Sequence, residues 1–250
     1  MTTSKAARKK APERHRELGL VALPEETQLE IEVDGSCLGR LSCSPFQRRE
    51  LVLGWLFSQG LIAAAADLGS LSFRDDRARV LLRPRGIGAG RRFHPHQVTA
   101  CSGGEVPAAL FDDLPVLCRS YEFTLAQAVA LMEQLPARAR MFRRHGGIHC
   151  SMLADMKVRK ILASREDIGR SNSVDKLIGW GLAQKADFSR CAVLTTGRIS
   201  AEMALKCLHA GIPALISQTT LTSKALAIVR RSGLTLVGHV LKPRPILLNF

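Results

Sequence analysis

From Gly146 to the C-terminus, short apolar runs alternate with helical segments that carry their own start and stop signals. No other feature constrains the fold as strongly. Ile148–Ala154 and Val158–Ala163 read as strands, and a helix follows from about Val174 to Gln184. Cys191–Thr195 is a short buried strand. Ser200 then caps a helix ending at Gly211, Ala214–Ser217 is a strand, Thr222 caps a helix ending at Gly233, and Leu234–Val240 is the last strand. Short links between such elements imply a layered α/β sheet, largely parallel.

Upstream the pattern changes. Gln28–Val33 alternates polar and apolar residues, Asp34-Gly35 is a hairpin turn, and Ser36–Leu41 returns as a second strand. Ser44 is placed to cap a helix with Pro45 in its first turn, and the helix ends at Gly60. Leu71–Phe73 and Ala78–Arg83 form a second hairpin around Asp75-Asp76. Residues 84–107 are crowded with Gly, Pro, Arg and His, which predicts a mobile segment. Thr124 and Gln127 form a capping box for a helix that Pro136 ends. The expected organisation is a basic tail over 1–24, a small β-rich subdomain with one helix over 25–98, a cysteine-bearing loop and linker over 99–123, and an α/β domain over 124–250.

One stretch departs from an ordinary strand-to-helix link. Arg165-Glu166-Asp167-Ile168-Gly169-Arg170 sets charges of both signs at a strand end, just before Asn172 and the helix. Such crowding fits either a held polar ligand or a solvated turn whose ion pairs are each worth little. Ligands collect at the carboxyl ends of strands in such sheets. Residues 165–173, 195–200 and 217–222 all reach that edge, and each leads into a helix N-terminus, where free N–H groups favour an anion. Arg165, Arg170 and Arg198, the last beside Gly197, can offer forked donors to phosphate. None of the three is a Walker A loop or a dinucleotide fingerprint.

A formal charge of +14 favours an anionic partner, but much of it lies in Lys5, Arg8, Lys9, Lys10, Arg14 and Arg16. Aromatics at 5% leave no stacking platform, which argues against nucleic acid. No run has the length and apolarity of a membrane span, and the tail lacks the apolar segment of an export signal. Seven cysteines, odd in number and without a C-x-x-C, argue against a disulfide framework or a zinc ribbon and point to the cytoplasm. Cys37, Cys118, Cys191 and Cys207 read as packed small hydrophobes. His149-Cys150 lacks the H-x-E and P-C-x-x-C companions of a zinc deaminase, so no metal is expected there.

The stretch from Arg165 to Gly179 resembles the central motif of the formate dehydrogenase accessory sulfurtransferase family, often called FdhD. Leu51–Ile62 is similar to the family's "LALGFLFSEGII", Phe142–His149 to its "F…TGG.H", and Thr196–Lys206 to its "SGRxSxEMxxK". The resemblance covers most of residues 27–240 in the family's order. It implies a cytidine-deaminase-like three-layer α/β/α domain with the smaller N-terminal subdomain, and a homodimer. It also implies a sulfur carrier that receives persulfide sulfur from a cysteine desulfurase. The sulfur passes to the molybdenum cofactor, in its bis-molybdopterin guanine dinucleotide form, for formate dehydrogenase maturation. With the deaminase ligand pattern missing, no zinc is expected in such a fold.

The same resemblance assigns residues. The family's mobile-loop "C-x-x-C" matches Cys101 and Gly104, so Cys101 is the catalytic thiol and the second cysteine is absent. Arg91, Arg92, His94 and His96 supply the electropositive setting that a thiolate needs. The family's cofactor stretch "F-x-R-x-x-[RK]" matches His239, Val240, Leu241, Lys242, Pro243 and Arg244, of which Lys242 and Arg244 keep positive charge. Gly104, Cys43 in place of an arginine, Leu221 in place of a proline, and the altered C-terminus motivate an alternative, a cofactor escort that has lost sulfur transfer.

Overall fold

The computed structural model describes residues 23–84, 114–117 and 119–249. Strands β1 (Thr27–Val33) and β2 (Ser36–Cys43) form a hairpin, as do β3 (Leu68–Arg74) and β4 (Arg77–Leu82). The sheet order is β2-β1-β4-β3, with β1 and β4 parallel. Asp34 and Gly35 both take positive φ, which matches the right-handed twist of the flanking strands. Leu29, Ile31, Val33, Ala78 and Val80 are buried with Leu51, Val52 and Leu56 of helix α1 (Arg48–Ser58). Between them the polar face carries Glu30, Glu32, Arg40, Arg77 and Arg79 as an ion-paired ladder.

Ser44 does not cap α1, which starts at Arg48 after Gln47 in a left-handed conformation. Ser44 is buried instead; its N–H donates to Asp167 Oδ2 at 3.1 Å, and its Oγ accepts the Ile168 N–H at 3.2 Å. A long-range partner has displaced the local cap.

Helix α2 (Leu125–Met132) carries the expected reciprocal cap between Thr124 and Gln127. Two short helices then follow, α3 (Leu135–Arg138), with Pro136 in its first turn, and α4 (Arg140–His145). The remaining elements are β5 (His149–Asp155), β6 (Lys160–Asp167), α5 (Arg170–Gln184), β7 (Cys191–Thr195), α6 (Ala201–His209), β8 (Ala214–Ser217), α7 (Ser223–Ser232), β9 (Thr235–Gly238) and β10 (Ile246–Leu248). They build a sheet of order β10-β9-β8-β7-β5-β6. Helices α5, α6 and α7 pack on one face and α2 and α3 on the other, which makes three layers.

The sheet is mixed rather than largely parallel. Only β7-β8 and β8-β9 are parallel. Strand β5 is antiparallel to β6 because residues 156–159 are far too short for a crossover, and antiparallel to β7 because α5 carries the chain back so that β7 runs the same way as β6. The expected last strand stops at Gly238; His239 takes positive φ, and β10 returns antiparallel along β9. Helix α5 begins at Arg170 and not near Val174, so Asn172 and Ser173 belong to its first turn. Among the described residues no helix is long and apolar enough to cross a membrane.

Candidate functional site

Strand β6 runs antiparallel to β5, and β5 antiparallel to β7, so β6, β7, β8 and β9 all point the same way. Their ends at Asp167, Thr195, Ser217 and Gly238 therefore meet on one edge, together with His149 at the start of β5.

Most charges of the 165–170 stretch are spent inside the protein. Arg165 forks onto Glu50 of α1, with Nη2–Oε1 at 2.7 Å. The Glu166 carboxylate accepts the N–H groups of Met141 at 3.1 Å and Phe142 at 2.7 Å, capping α4. Asp167 and Lys176 are both fully buried and lie 2.7 Å apart. Asp167 also accepts from Gly169 N–H at 2.8 Å and from Asn172 Nδ2 at 3.0 Å. Asn172 Nδ2 donates as well to the Ser42 carbonyl at 2.8 Å. Arg165, Asp167 and Asn172, expected at a cofactor, have protein partners that join the two sheets, because a polar group taken from water needs a partner.

Arg170 is different. Its Nε is buried without a hydrogen-bond partner. Its side chain lies against Gly197, where an added Cβ would come within 2.8 Å of Arg170 Cβ. The next residue, Arg198, is exposed. A chain of buried hydroxyls ties these two arginine segments together. Ser173 Oγ donates to the Arg170 carbonyl at 2.8 Å and lies 2.8 Å from Ser151 Oγ. Ser151 Oγ donates to Thr195 Oγ1 at 2.9 Å, and Thr195 Oγ1 accepts the Gly197 N–H at 3.0 Å.

The third segment folds onto the second. Ser217 Oγ donates to the Gly197 carbonyl at 2.7 Å and accepts the Thr219 N–H at 2.9 Å. The Thr219 carbonyl accepts the His239 N–H at 2.8 Å, which brings His239 to the same edge with its Nδ1 buried and unpartnered. Val240, expected at the cofactor, is buried in the core under β8 and β9, where an apolar side chain belongs. Leu241, Lys242, Pro243 and Arg244 are exposed on the outgoing turn. Ser200 and Thr222 cap α6 and α7 as expected.

His149, weighed in the sequence only as a metal ligand, also stands at this edge. It is half-buried, and its Nδ1 stands 3.4 Å from Thr196 Oγ1. Burial, and then the Arg170 and Arg198 guanidinium groups, hold its pKa below the usual histidine range. The signal was its place as the first residue of β5. Among the described residues, no cluster of three or more His, Cys, Asp or Glu could hold a metal.

Cys101 lies outside the described residues, as do Gly104, Cys118, Arg91, Arg92, His94 and His96. Cys43, Cys150, Cys191 and Cys207 are buried. Burial raises all four thiols, the last three to about 12. Cys37, expected to be packed, is exposed, because the first residues of β2 overhang the core.

Residues 24–247 match the FdhD/NarQ family. The chain is 32% identical over 241 residues to the sulfur carrier protein FdhD of Anaeromyxobacter dehalogenans, covering 88% of this chain and 83% of that one. It is 28% identical over 220 residues to the sulfur carrier protein FdhD of Geobacillus kaustophilus, covering 86% and 83%. The crystal structure of a formate dehydrogenase accessory protein from Desulfotalea psychrophila superposes with a TM-score of 0.73 at 26% identity, over 91% of this chain and 88% of that one.

Proposed function

The chain belongs to the FdhD/NarQ family, and from that premise we propose that it is a sulfur carrier for the molybdenum cofactor. In this reading a cysteine desulfurase presents a persulfide, and the Cys101 thiolate attacks its outer sulfur. A new S–S bond forms on Cys101 and the donor leaves as its thiolate. This S–S bond then breaks, Cys101 leaves as its thiolate, and the sulfur passes to a reduced molybdenum of a bis-molybdopterin guanine dinucleotide, whose two electrons bring it to the sulfide level; the sulfurated product goes to formate dehydrogenase. The protein works as a homodimer.

The observation that supports this reading is the carboxyl edge. Arg170 with an orphaned donor, exposed Arg198 and half-buried His149 stand together there, a donor set suited to the phosphates of a dinucleotide. The relatives named above are sulfur carriers. The burial of four other thiols leaves sulfur loading to few candidates.

The test is intact-protein mass spectrometry after incubation with a cysteine desulfurase and cysteine. The expected result is a sulfur-mass adduct on the wild type and none on Cys101→Ala. A second reading, a cofactor escort without sulfur transfer, is favoured by Gly104 standing where the family has its second cysteine. No adduct on either protein, with guanine nucleotide binding intact, selects the escort.

A further inference from the structure

His149 opens β5 opposite Asp167 on β6, and its Nδ1 faces the hydroxyl of Thr196 just past β7. Thr196 Oγ1 accepts the Cys150 N–H at 3.0 Å. Its own proton is therefore available to Nδ1, or to the Cys150 carbonyl at the same 3.4 Å. With Nδ1 accepting, the imidazole proton sits on Nε2, which has no hydrogen-bond partner among the described residues. At the same edge, Arg170 Nε is a buried donor without an acceptor. A buried donor without an acceptor, with the Nε2 proton of a half-buried histidine at the same edge, marks a place for an acceptor.

Resting on the guanine-nucleotide reading above, we propose that His149 donates a hydrogen bond from Nε2 to a phosphate bound alongside Arg170 and Arg198, and that phosphate binding loads a proton onto His149. The charged groups acting on the ring are Arg170 of α5, Arg198 of the β7–α6 turn and Asp167 of β6. The two arginines resist a further positive charge. Asp167 favours one, but it is already committed to Lys176, Gly169 and Asn172. Burial, the larger influence, also disfavours the charged ring, so the free protein favours the neutral imidazole. A phosphate cancels the arginine field and raises the histidine pKa, so the complex holds more protons than the free protein. Affinity for a given phosphate ion rises as pH falls towards the free-state value.

The test is titration calorimetry of the full chain with GDP at about pH 6, in two buffers of different ionisation enthalpy, which counts protons taken up on binding. Wild type is compared with His149→Gln and His149→Ala, with guanosine as the ligand lacking phosphate. The Gln amide can donate in place of Nε2 but cannot titrate. Wild type is expected to take up a fraction of a proton more than His149→Gln, a difference that cancels the ionisation of GDP itself. His149→Gln keeps its GDP affinity to within about threefold, while His149→Ala loses about tenfold, the scale of one hydrogen bond to a charged group. Guanosine produces no uptake. Equal GDP affinity in wild type and His149→Ala, equal proton uptake in wild type and His149→Gln, or uptake with guanosine overturns the assignment of His149 and leaves the nucleotide reading standing. Failure of wild type to bind GDP overturns both. Should His149→Ala fail to fold, the proton count of His149→Gln decides.

Discussion

Gly54 of α1 and Gly179 of α5 face each other where the two helices cross, and neither position has room for a side chain. A Cβ on Gly54 would lie 1.8 Å from the Asp175 carbonyl oxygen, and one on Gly179 would lie 1.9 Å from that of Glu50. This crossing fastens the N-terminal sheet to the helix that begins at Arg170. The nearby Arg165–Glu50 pair and the Ser58–Asp175 hydrogen bond of 2.8 Å span the same junction.

Glycine to alanine inside a helix normally stabilises by up to about 1 kcal/mol. Here the sign reverses, because the obstacle is backbone on the facing helix and no rotamer change relieves it. Gly54→Ala and Gly179→Ala are each expected to destabilise by about 2 kcal/mol or more, read as a lower urea midpoint.

Lys176 is fully buried, donating to Asp167 and to the Glu166 carbonyl at 3.1 Å, with its ammonium 5.0 Å from the centre of the Phe46 ring. Lys176→Met leaves the Asp167 charge uncompensated and is expected to cost about 3–5 kcal/mol. Lys176→Met combined with Asp167→Asn is expected to cost less than the sum of the two single changes. A double-mutant cycle by urea unfolding measures this.

Glu202 accepts from Lys206 at 3.1 Å and from Ser171 at 2.5 Å. Burial alone would raise its pKa, but Lys206 and Ser171 outweigh burial and hold the carboxyl below its ordinary value. A depressed folded-state pKa contributes stability that is present above the ordinary carboxylate range and is lost as pH falls through the depressed value. Glu202→Gln is therefore expected to cost about 1–3 kcal/mol at pH 7. Its deficit relative to wild type should shrink in acid, seen by thermal unfolding across pH.

Iodoacetamide on the native protein is expected to modify Cys37 and to spare Cys43, Cys150, Cys191 and Cys207 until denaturant is added, since reaction needs an accessible thiolate. Peptide mapping by mass spectrometry shows which thiols react. Labelling of Cys150 in the native protein would show that the edge opens.

Arg198 is exposed, so its loss should leave stability within about 0.5 kcal/mol. Arg198→Gln is expected to weaken GDP binding about tenfold and to flatten its salt dependence. Titration calorimetry at two salt concentrations, with melting as the control, separates the two effects.

Local signals were legible. Ser200, Thr222, Gly211 and Gly233 bound their helices where the capping pattern placed them, and Cys191–Thr195 and Ala214–Ser217 are the strands that their apolar runs announce. Each of these depends on residues a few positions apart. Ser44 shows the limit: its cap pattern was sound, yet Asp167 and Ile168 took its polar groups from 123 and 124 positions away.

The sequence by itself determined the layered α/β design, the edge on which the strands end, and the presence of Arg170 and Arg198 there. Periodicity and caps act over one or two turns, and the chain order carries them. Only the tertiary structure decided which charges were free. Arg165 found Glu50, Asp167 found Lys176, and Glu166 found the start of α4. The same folding half-buried His149 near the two arginines, and burial followed by their charges lowers its pKa. The physical reason is burial: a charge taken from water must be matched, and its match is chosen by which elements pack together.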